Sequence, residues 1–169
     1  MLKAAQLYEE ELKEKFIETW YKPEYVCYSG GTGDNLLELP DGNCDSHNFV
    51  SVDKDDNVIG YISYNVDYAA MSANNLGIIS FDIGNLEFVR DVSKAICDIF
   101  EVYRMNRLSW WCFADNPAIK SYRNFIRLHG GRECSYGRQT ARLRDGKLHD
   151  DVGFEIMASE FIPPKKCGG

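Results

Sequence analysis

A strand, a helix and a second strand follow one another between residues 76 and 113, and this order constrains the fold most. LGIISFDI, residues 76 to 83, has the composition of a strand, and RLSWWCF, residues 107 to 113, that of a strand covered on both faces. The apolar residues between them recur at helical spacing. Such a crossover places its two strands side by side and parallel. We therefore expect a parallel pair inside a mixed sheet.

The rest of the chain adds antiparallel strands and two further helices. The predicted elements, in chain order, are a helix over 2 to 20, strands over 48 to 53, 58 to 66 and 76 to 83, a helix from 85, a strand over 107 to 113, a helix over 117 to 128, and strands over about 132 to 143 and 147 to 158. The fold class is thus α/β (α+β), with a mixed, mostly antiparallel sheet of about six strands and three main helices.

Length and charge narrow the class of protein. The 169 residues contain no linker, so we expect a single domain over 1–169, with its core over 48–158 and an N-terminal helix and long loop over 1–47. The net charge of -7 lacks the basic footprint of a nucleic-acid-binding protein. An acidic surface favours a cationic partner such as an amine, although solubility alone also accounts for it.

The cysteines and the N-terminal stretch indicate the cellular compartment of the protein. None of the six cysteines forms a CxxC pair, and Cys97 and Cys112 lie in apolar periodic segments. This predicts buried free thiols in a reducing compartment, with neither a disulfide framework nor a metal site. The opening stretch MLKAAQLYEEELKEKF is too charged for a signal peptide, and no apolar run has membrane-spanning length. We expect a cytoplasmic protein without a membrane partner.

The stretch DNPAIKSYRNFIRLHGGR, residues 115 to 132, resembles a motif of the GNAT superfamily of acetyl-coenzyme A-dependent N-acetyltransferases. Asn116 follows a strand, Ala118 is small, and Tyr122 comes four positions later. Gly130 and Gly131 then end the helix and lead into a closing hairpin, LRDGKLHDDVGFEI. The resemblance covers roughly residues 48 to 158. It implies that the two central parallel strands splay apart and that acetyl-coenzyme A binds in the opening.

The resemblance also implies residue roles at the cofactor. The pantetheine arm would lie along residues 81 to 84, including Phe81, Ile83 and Gly84, and Asn116 would turn its amide toward the cofactor. The pyrophosphate would bind the backbone amides that begin the following helix, at Asn85, Leu86, Glu87 and Phe88. Asn85 is also the expected N-cap of that helix, and a capping role without function remains open for Asn116.

Two residues are candidates for proton transfer. Tyr122 would donate a proton to the departing thiolate, and the alternative is that it is a core residue. Asp82, expected on the same strand face as Ser80 and Ile78, would accept the proton of an attacking amine, with Glu87 as second choice. The reaction implied is direct transfer of acetyl from acetyl-coenzyme A to a primary amine. The oligomeric state stays open, with a homodimer among the alternatives.

The pyrophosphate loop departs from the family pattern. In place of Gln/Arg-x-x-Gly-x-Gly/Ala the chain has FDIGNLEFVRDV, in which Gly84 is the one glycine. Asp82 and Glu87 place negative charge near the expected phosphates, so we expect weak coenzyme A binding. The alternative function is a catalytically inactive GNAT-like domain that senses acyl-coenzyme A or binds another protein.

Overall fold

A seven-stranded sheet organises the described part of the chain. The computed structural model describes residues 1–28, 37–40 and 44–164. Much of the predicted long loop, including the segment SGGTGDN, lies outside these residues. The elements are β1 (Leu2–Ala4), α1 (Glu9–Thr19), β2 (Ser46–Val52), β3 (Val58–Asp67), β4 (Ser72–Ser80), α2 (Leu86–Glu101), β5 (Arg107–Phe113), α3 (Ile119–His129), β6 (Arg132–Arg142) and β7 (Leu148–Met157).

The strand order is β1-β2-β3-β4-β5-β7-β6. Neighbouring strands are antiparallel except β4 and β5, which are parallel. This confirms the mixed, mostly antiparallel sheet, the parallel pair and the closing hairpin. No helix among the described residues has both the length and the apolar character needed to cross a bilayer.

The first strand was missed, and the N-terminal helix was placed too early. Residues 2 to 4 pair with β2, with Leu2 opposite Ser51 and Ala4 opposite Phe49. A 3-10 turn over Ala5–Tyr8 separates this strand from α1. Three residues are too few to show the alternation that predicts a strand. The strand forms because it pairs with β2, which is distant in the sequence, and a local pattern does not reveal that pairing.

The bounds of β4 also differ from the prediction of 76 to 83. The strand begins four residues earlier because the Asp67 carboxylate accepts hydrogen bonds from the backbone N–H groups of Ala69 and Ala70, which makes the preceding turn short. It ends at Ser80. Beyond that point the N–H groups of Phe81 and Asp82 both donate to the carbonyl of Ile59. The polar start of β4 had the composition of a loop.

The parallel strands separate soon after they meet. β4 and β5 pair at Ser72 with Arg107 and at Ala73 with Leu108, and the described ladder continues no further. A bulge follows in β4, where two residues, Asn75 and Leu76, stand opposite one residue of β3. Asn75 has a left-handed φ of 56°. A bulge bends its strand and increases the local twist, so β4 turns away from β5 at this point.

Helices cover both faces of the sheet. The larger core lies between the sheet and α2 and α3, and includes Ile62, Ile99, Leu108 and Phe154. The smaller core lies under α1 and includes Leu12, Phe16, Tyr61 and Ile79.

A glycine in β3 sets how closely α2 approaches the sheet. Gly60 is buried, and a Cβ atom at this position would overlap the ring of Phe88 in the first turn of α2. The position of the start of α2, where the cofactor phosphates are expected, thus depends on the absence of a side chain at Gly60.

We expect Gly60→Ala to lower the free energy of unfolding by about 1–3 kcal/mol, because the methyl group overpacks a filled site. Urea denaturation followed by circular dichroism measures the loss. The matched control is the same substitution in a Phe88→Leu background, where the smaller side chain leaves room for the methyl group. An equal cost in both backgrounds would show that contact with the Phe88 ring is not the cause.

Candidate functional site

The opening between β4 and β5 forms a cavity of about 240 Å³ lined by Asn75, Leu76, Gly77 and Trp111. Three of these residues belong to the bulge and the segment after it. Because the described ladder with β5 stops at Ala73, the β4 backbone beyond the bulge presents hydrogen-bonding groups toward the opening. An extended ligand could pair with this edge as a strand would.

Trp110 and Trp111 point to opposite faces of β5. Trp110 is 4% exposed, and its indole Nε1 has no hydrogen-bond partner among the described residues. Trp111 is 42% exposed and lines the cavity. The prediction that β5 is covered on both faces is thus wrong at Trp111. Sequence reasoning missed its place at the opening because the run of large apolar residues gave no sign that one face was bare.

The residues predicted along the pantetheine arm have different surroundings. Phe81 is partly buried and packs edge-on against Phe16 of α1, with ring centroids 5.6 Å apart. Ile83 is 69% exposed. Gly84 has a φ of 92°, a left-handed conformation that favours glycine. The segment therefore leaves the sheet with one side chain anchored under α1 and the next two residues open to solvent.

Asn85 caps α2, as predicted, and in doing so occupies two of the amides proposed for the pyrophosphate. Its side-chain oxygen accepts hydrogen bonds from the N–H of Glu87 at 2.9 Å and of Phe88 at 3.2 Å. Its side-chain nitrogen donates to the Asp82 carboxylate at 2.7 Å. The amide of Leu86 is not part of this cap. A phosphate at this helix start would have to displace the Asn85 side chain or bind beside it.

Asp82 lies in the exposed turn between β4 and α2, not on the strand face that it was expected to share with Ser80 and Ile78. Its negative charge reaches Tyr25, whose hydroxyl donates to the Ser80 carbonyl at 2.9 Å. Burial, followed by the charges of Glu24 and Asp82, raises the pKa of Tyr25. The Asp82 carboxylate thus stands at the end of β4, where the strand edge meets α2.

The side chain of Glu87 lies beside a different cleft. This cleft, of about 540 Å³, separates the start of α2 from β1 and the end of β2, and Glu87 and Arg90 line it together with lysines and aspartates. These two side chains therefore face away from the opening between β4 and β5, which is on the other side of β3.

Asn116 organises the turn before α3. Its side-chain oxygen accepts from the N–H of Ala118 at 2.9 Å, and its backbone carbonyl accepts from the N–H of Ile119 at 2.9 Å. Its side-chain nitrogen donates to the Cys27 carbonyl at 3.4 Å. The helix begins at Ile119 rather than at Pro117, because residues 116 to 118 form this turn. Asn116 therefore stabilises a turn two residues before Ala118, the N-cap of α3, and is not itself the cap of the helix.

Tyr122 lies in the first turn of α3 and packs into the larger core. Its ring centroid is 6.0 Å from that of Trp110 and 5.8 Å from that of Phe154. Part of the side chain reaches the surface, yet burial, with a second contribution from Cys112, raises the pKa of the hydroxyl above its ordinary value. The hydroxyl makes no hydrogen bond to another described residue. It is therefore protonated at neutral pH and has a proton to donate.

Comparisons with known proteins agree at the level of the fold. No family model and no curated protein sequence matches the chain. Among solved structures, a chimera of spermidine N-acetyltransferase SpeG from Vibrio cholerae with hSSAT superposes with a TM-score of 0.65 at 19% identity, covering 94% of this chain and 96% of the other.

Two further SpeG structures from Vibrio cholerae match a shorter part of the chain. A dodecameric form of spermidine N-acetyltransferase has a TM-score of 0.60 at 19% identity and covers 69% of this chain and 67% of its own. Mutant forms of the spermidine/spermine N-acetyltransferase have a TM-score of 0.60 at 20% identity and cover the same shares.

The cap at Asn85 generates a stability prediction. Asn85→Ala should lower the free energy of unfolding by about 1 kcal/mol, since it leaves the N–H groups of Glu87 and Phe88 without their acceptor. Thermal unfolding measures the change. Asn85→Ser is the control, because a serine hydroxyl can accept the same bonds and should restore most of the stability. If alanine and serine destabilise the protein equally, the cap is not what stabilises the start of α2.

Proposed function

From the GNAT fold that the chain has in common with these acetyltransferases, we propose that it transfers an acetyl group from acetyl-coenzyme A to a primary amine. The observation that carries the proposal is the opening created by the bulge at Asn75. A thioester arm is long, thin and amide-bearing, so it suits an unpaired strand edge inside a narrow gap.

The cofactor would run along the end of β4. We place the pantetheine amides against the backbone from the bulge to Phe81–Gly84, and the phosphates at the start of α2. The strand edge fits the arm, whereas the helix start fits the phosphates less well. Two amides there already bind Asn85, and the Asp82 carboxylate adds negative charge. Binding weaker than that of a glycine-rich loop is the expected result.

The reaction needs one proton removed and one supplied. The amine nitrogen attacks the thioester carbonyl, the C–N bond forms and the C–S bond breaks. The nitrogen loses a proton and the sulfur of coenzyme A gains one. Asp82 is the proposed acceptor, directly or through a water, and Tyr122 the proposed donor. The raised pKa keeps Tyr122 protonated until the thiolate forms beside it. Asn116 orients the turn before α3, and the direction of α3 sets the position of the Tyr122 hydroxyl.

The acceptor is proposed to be a cationic amine. The chain carries a net charge of -7, which raises the local concentration of cations at its surface. The SpeG structures are those of enzymes named for spermidine. Polyamines are therefore the first acceptors to test, with small primary amines and peptide amines after them.

The second candidate is a domain that binds acyl-coenzyme A without turnover. The observation in its favour is the Asn85 side chain, which fills the anion-binding position at the start of α2. In this case the ligand would bind through its pantetheine arm alone, and no amine would be acetylated.

The central test combines binding and turnover. Acetyl-coenzyme A should raise the melting temperature, because it binds the folded state only. With an active acceptor, Tyr122→Phe should reduce turnover by about 10²-fold or more, since it removes the proton donor and keeps the ring. The release of free coenzyme A thiol measures turnover, and the melting temperature measures binding to both proteins.

Tyr68→Phe is the matched control, because Tyr68 is an exposed residue of the turn between β3 and β4. It should turn over at the wild-type rate. Normal turnover by a folded Tyr122→Phe protein would remove Tyr122 from the mechanism. A melting shift with no acetylation of any amine would favour the second candidate, and no shift at all would contradict both.

A further inference from the structure

Four side chains with metal-binding chemistry meet at the carboxyl end of β5. They come from four different parts of the chain: Cys27 follows the 3-10 turn Pro23–Tyr25, Asp115 follows β5, Asp145 lies in the turn between β6 and β7, and His149 is the second residue of β7. One ligand atom from each of Cys27, Asp115 and His149 lies within 4.8 Å of the other two.

One distance within this cluster equals that of a coordination sphere, and the other is shorter. The Nδ1 atom of His149 is 2.8 Å from Asp115 Oδ2, and Cys27 Sγ is 3.7 Å from Asp115 Oδ1. Around a tetrahedral Zn²⁺, with bonds of about 2.0–2.3 Å, neighbouring ligand atoms lie roughly 3.3–3.7 Å apart. The His149–Asp115 distance would therefore have to widen by about 0.5 Å to admit an ion. The Asp115 side chain is 60% exposed and is free to move by that amount.

The second ring nitrogen of His149 also has the kind of partner that is found at metal sites. The Nε2 atom of His149 is 3.0 Å and 3.2 Å from the two carboxylate oxygens of Asp145. A histidine that binds a metal through one ring nitrogen commonly donates the N–H of the other to a carboxylate, which fixes its tautomer and orientation. Asp145 would accept this bond and leave Nδ1 free to face Cys27 and Asp115.

The burial of His149 and Cys27 and the types of ligand favour a particular class of metal ion. His149 is 5% exposed and Cys27 is 8% exposed, and Phe113 and Leu143 pack around them. A thiolate together with an imidazole favours Zn²⁺ and related transition ions over Mg²⁺ or Ca²⁺. The exposed side of Asp115 gives access to solvent, so a water can complete the fourth position.

We propose that Cys27, Asp115 and His149 form a zinc site with Asp145 as the hydrogen-bonded support of the histidine. The ion would join the segment after α1 to the ends of β5 and β7. The site uses other side chains and other chemistry than the proposed acetyl-transfer site, although Asp115 is the neighbour of Asn116, and it does not depend on that function.

The test is zinc binding by the full chain. Because other thiols also bind zinc, we choose a background with Cys44→Ser and Cys134→Ser, which remove two exposed thiols, and with Cys167→Ser. After treatment with a chelator, calorimetry should show one equivalent of Zn²⁺ bound, and zinc should raise the melting temperature. Co²⁺, which accepts the same ligands, should give a thiolate charge-transfer absorption.

Variants of the cluster separate the proposal from simple hydrogen bonding. Cys27→Ser should abolish the cobalt thiolate absorption, and Asp145→Asn should weaken zinc binding about 10- to 100-fold, the range for the support of a ligating histidine. Asp115→Asn changes an exposed side chain and is expected to fold, so it tests the ligand set even if Cys27→Ser does not fold. The expected result is a loss of zinc affinity in Asp115→Asn.

Two outcomes would overturn the proposal. One is that the folded background protein binds no zinc. The other is that Asp115→Asn and Asp145→Asn bind zinc as tightly as that background does. In either case the cluster is a histidine held between two carboxylates beside a buried thiol.

Discussion

The bulge in β4 is the feature on which the rest of the structure depends. Without the extra residue at Asn75, β4 would continue its ladder with β5 and the sheet would close. The left-handed conformation of Asn75 turns the strand, and pairing with β5 ends at Ala73. Asparagine tolerates this conformation better than most residues because its short amide can hydrogen-bond locally. The unpaired edge, the cavity and the exposure of Trp111 all follow from that turn.

The start of α2 has to satisfy two demands with the same groups. A helix needs its first N–H groups bonded, and an anion site needs them free. In this chain Asn85 bonds two of them, and Asp82 holds the asparagine in place. The hydrogen bonds that stabilise the helix start would therefore weaken the binding of the proposed anion.

The sequence predicted those features that local patterns carry. The parallel pair followed from a strand–helix–strand order, and the cap at Asn85 from its residue type and place. The missed features are long-range: β1 exists only through its pairing with β2, and the bulge only through the count of residues opposite β3. The cluster at His149 joins residues that are far apart in the sequence, since Cys27 and His149 are 122 positions apart (149 − 27). No local sequence pattern therefore predicts it.

The two proposed sites meet at one turn. Asn116 bonds the amide of Ala118 on one side and the carbonyl of Cys27 on the other, and its neighbour Asp115 reaches His149. The carbonyl of Ala118 in turn accepts the N–H of Tyr122. Because these contacts form a continuous chain, a shift of Asp115 toward a metal ion would move the turn that orients α3. The position of the Tyr122 hydroxyl would then depend on the contacts of the cluster at the carboxyl end of β5, although no residue belongs to both sites.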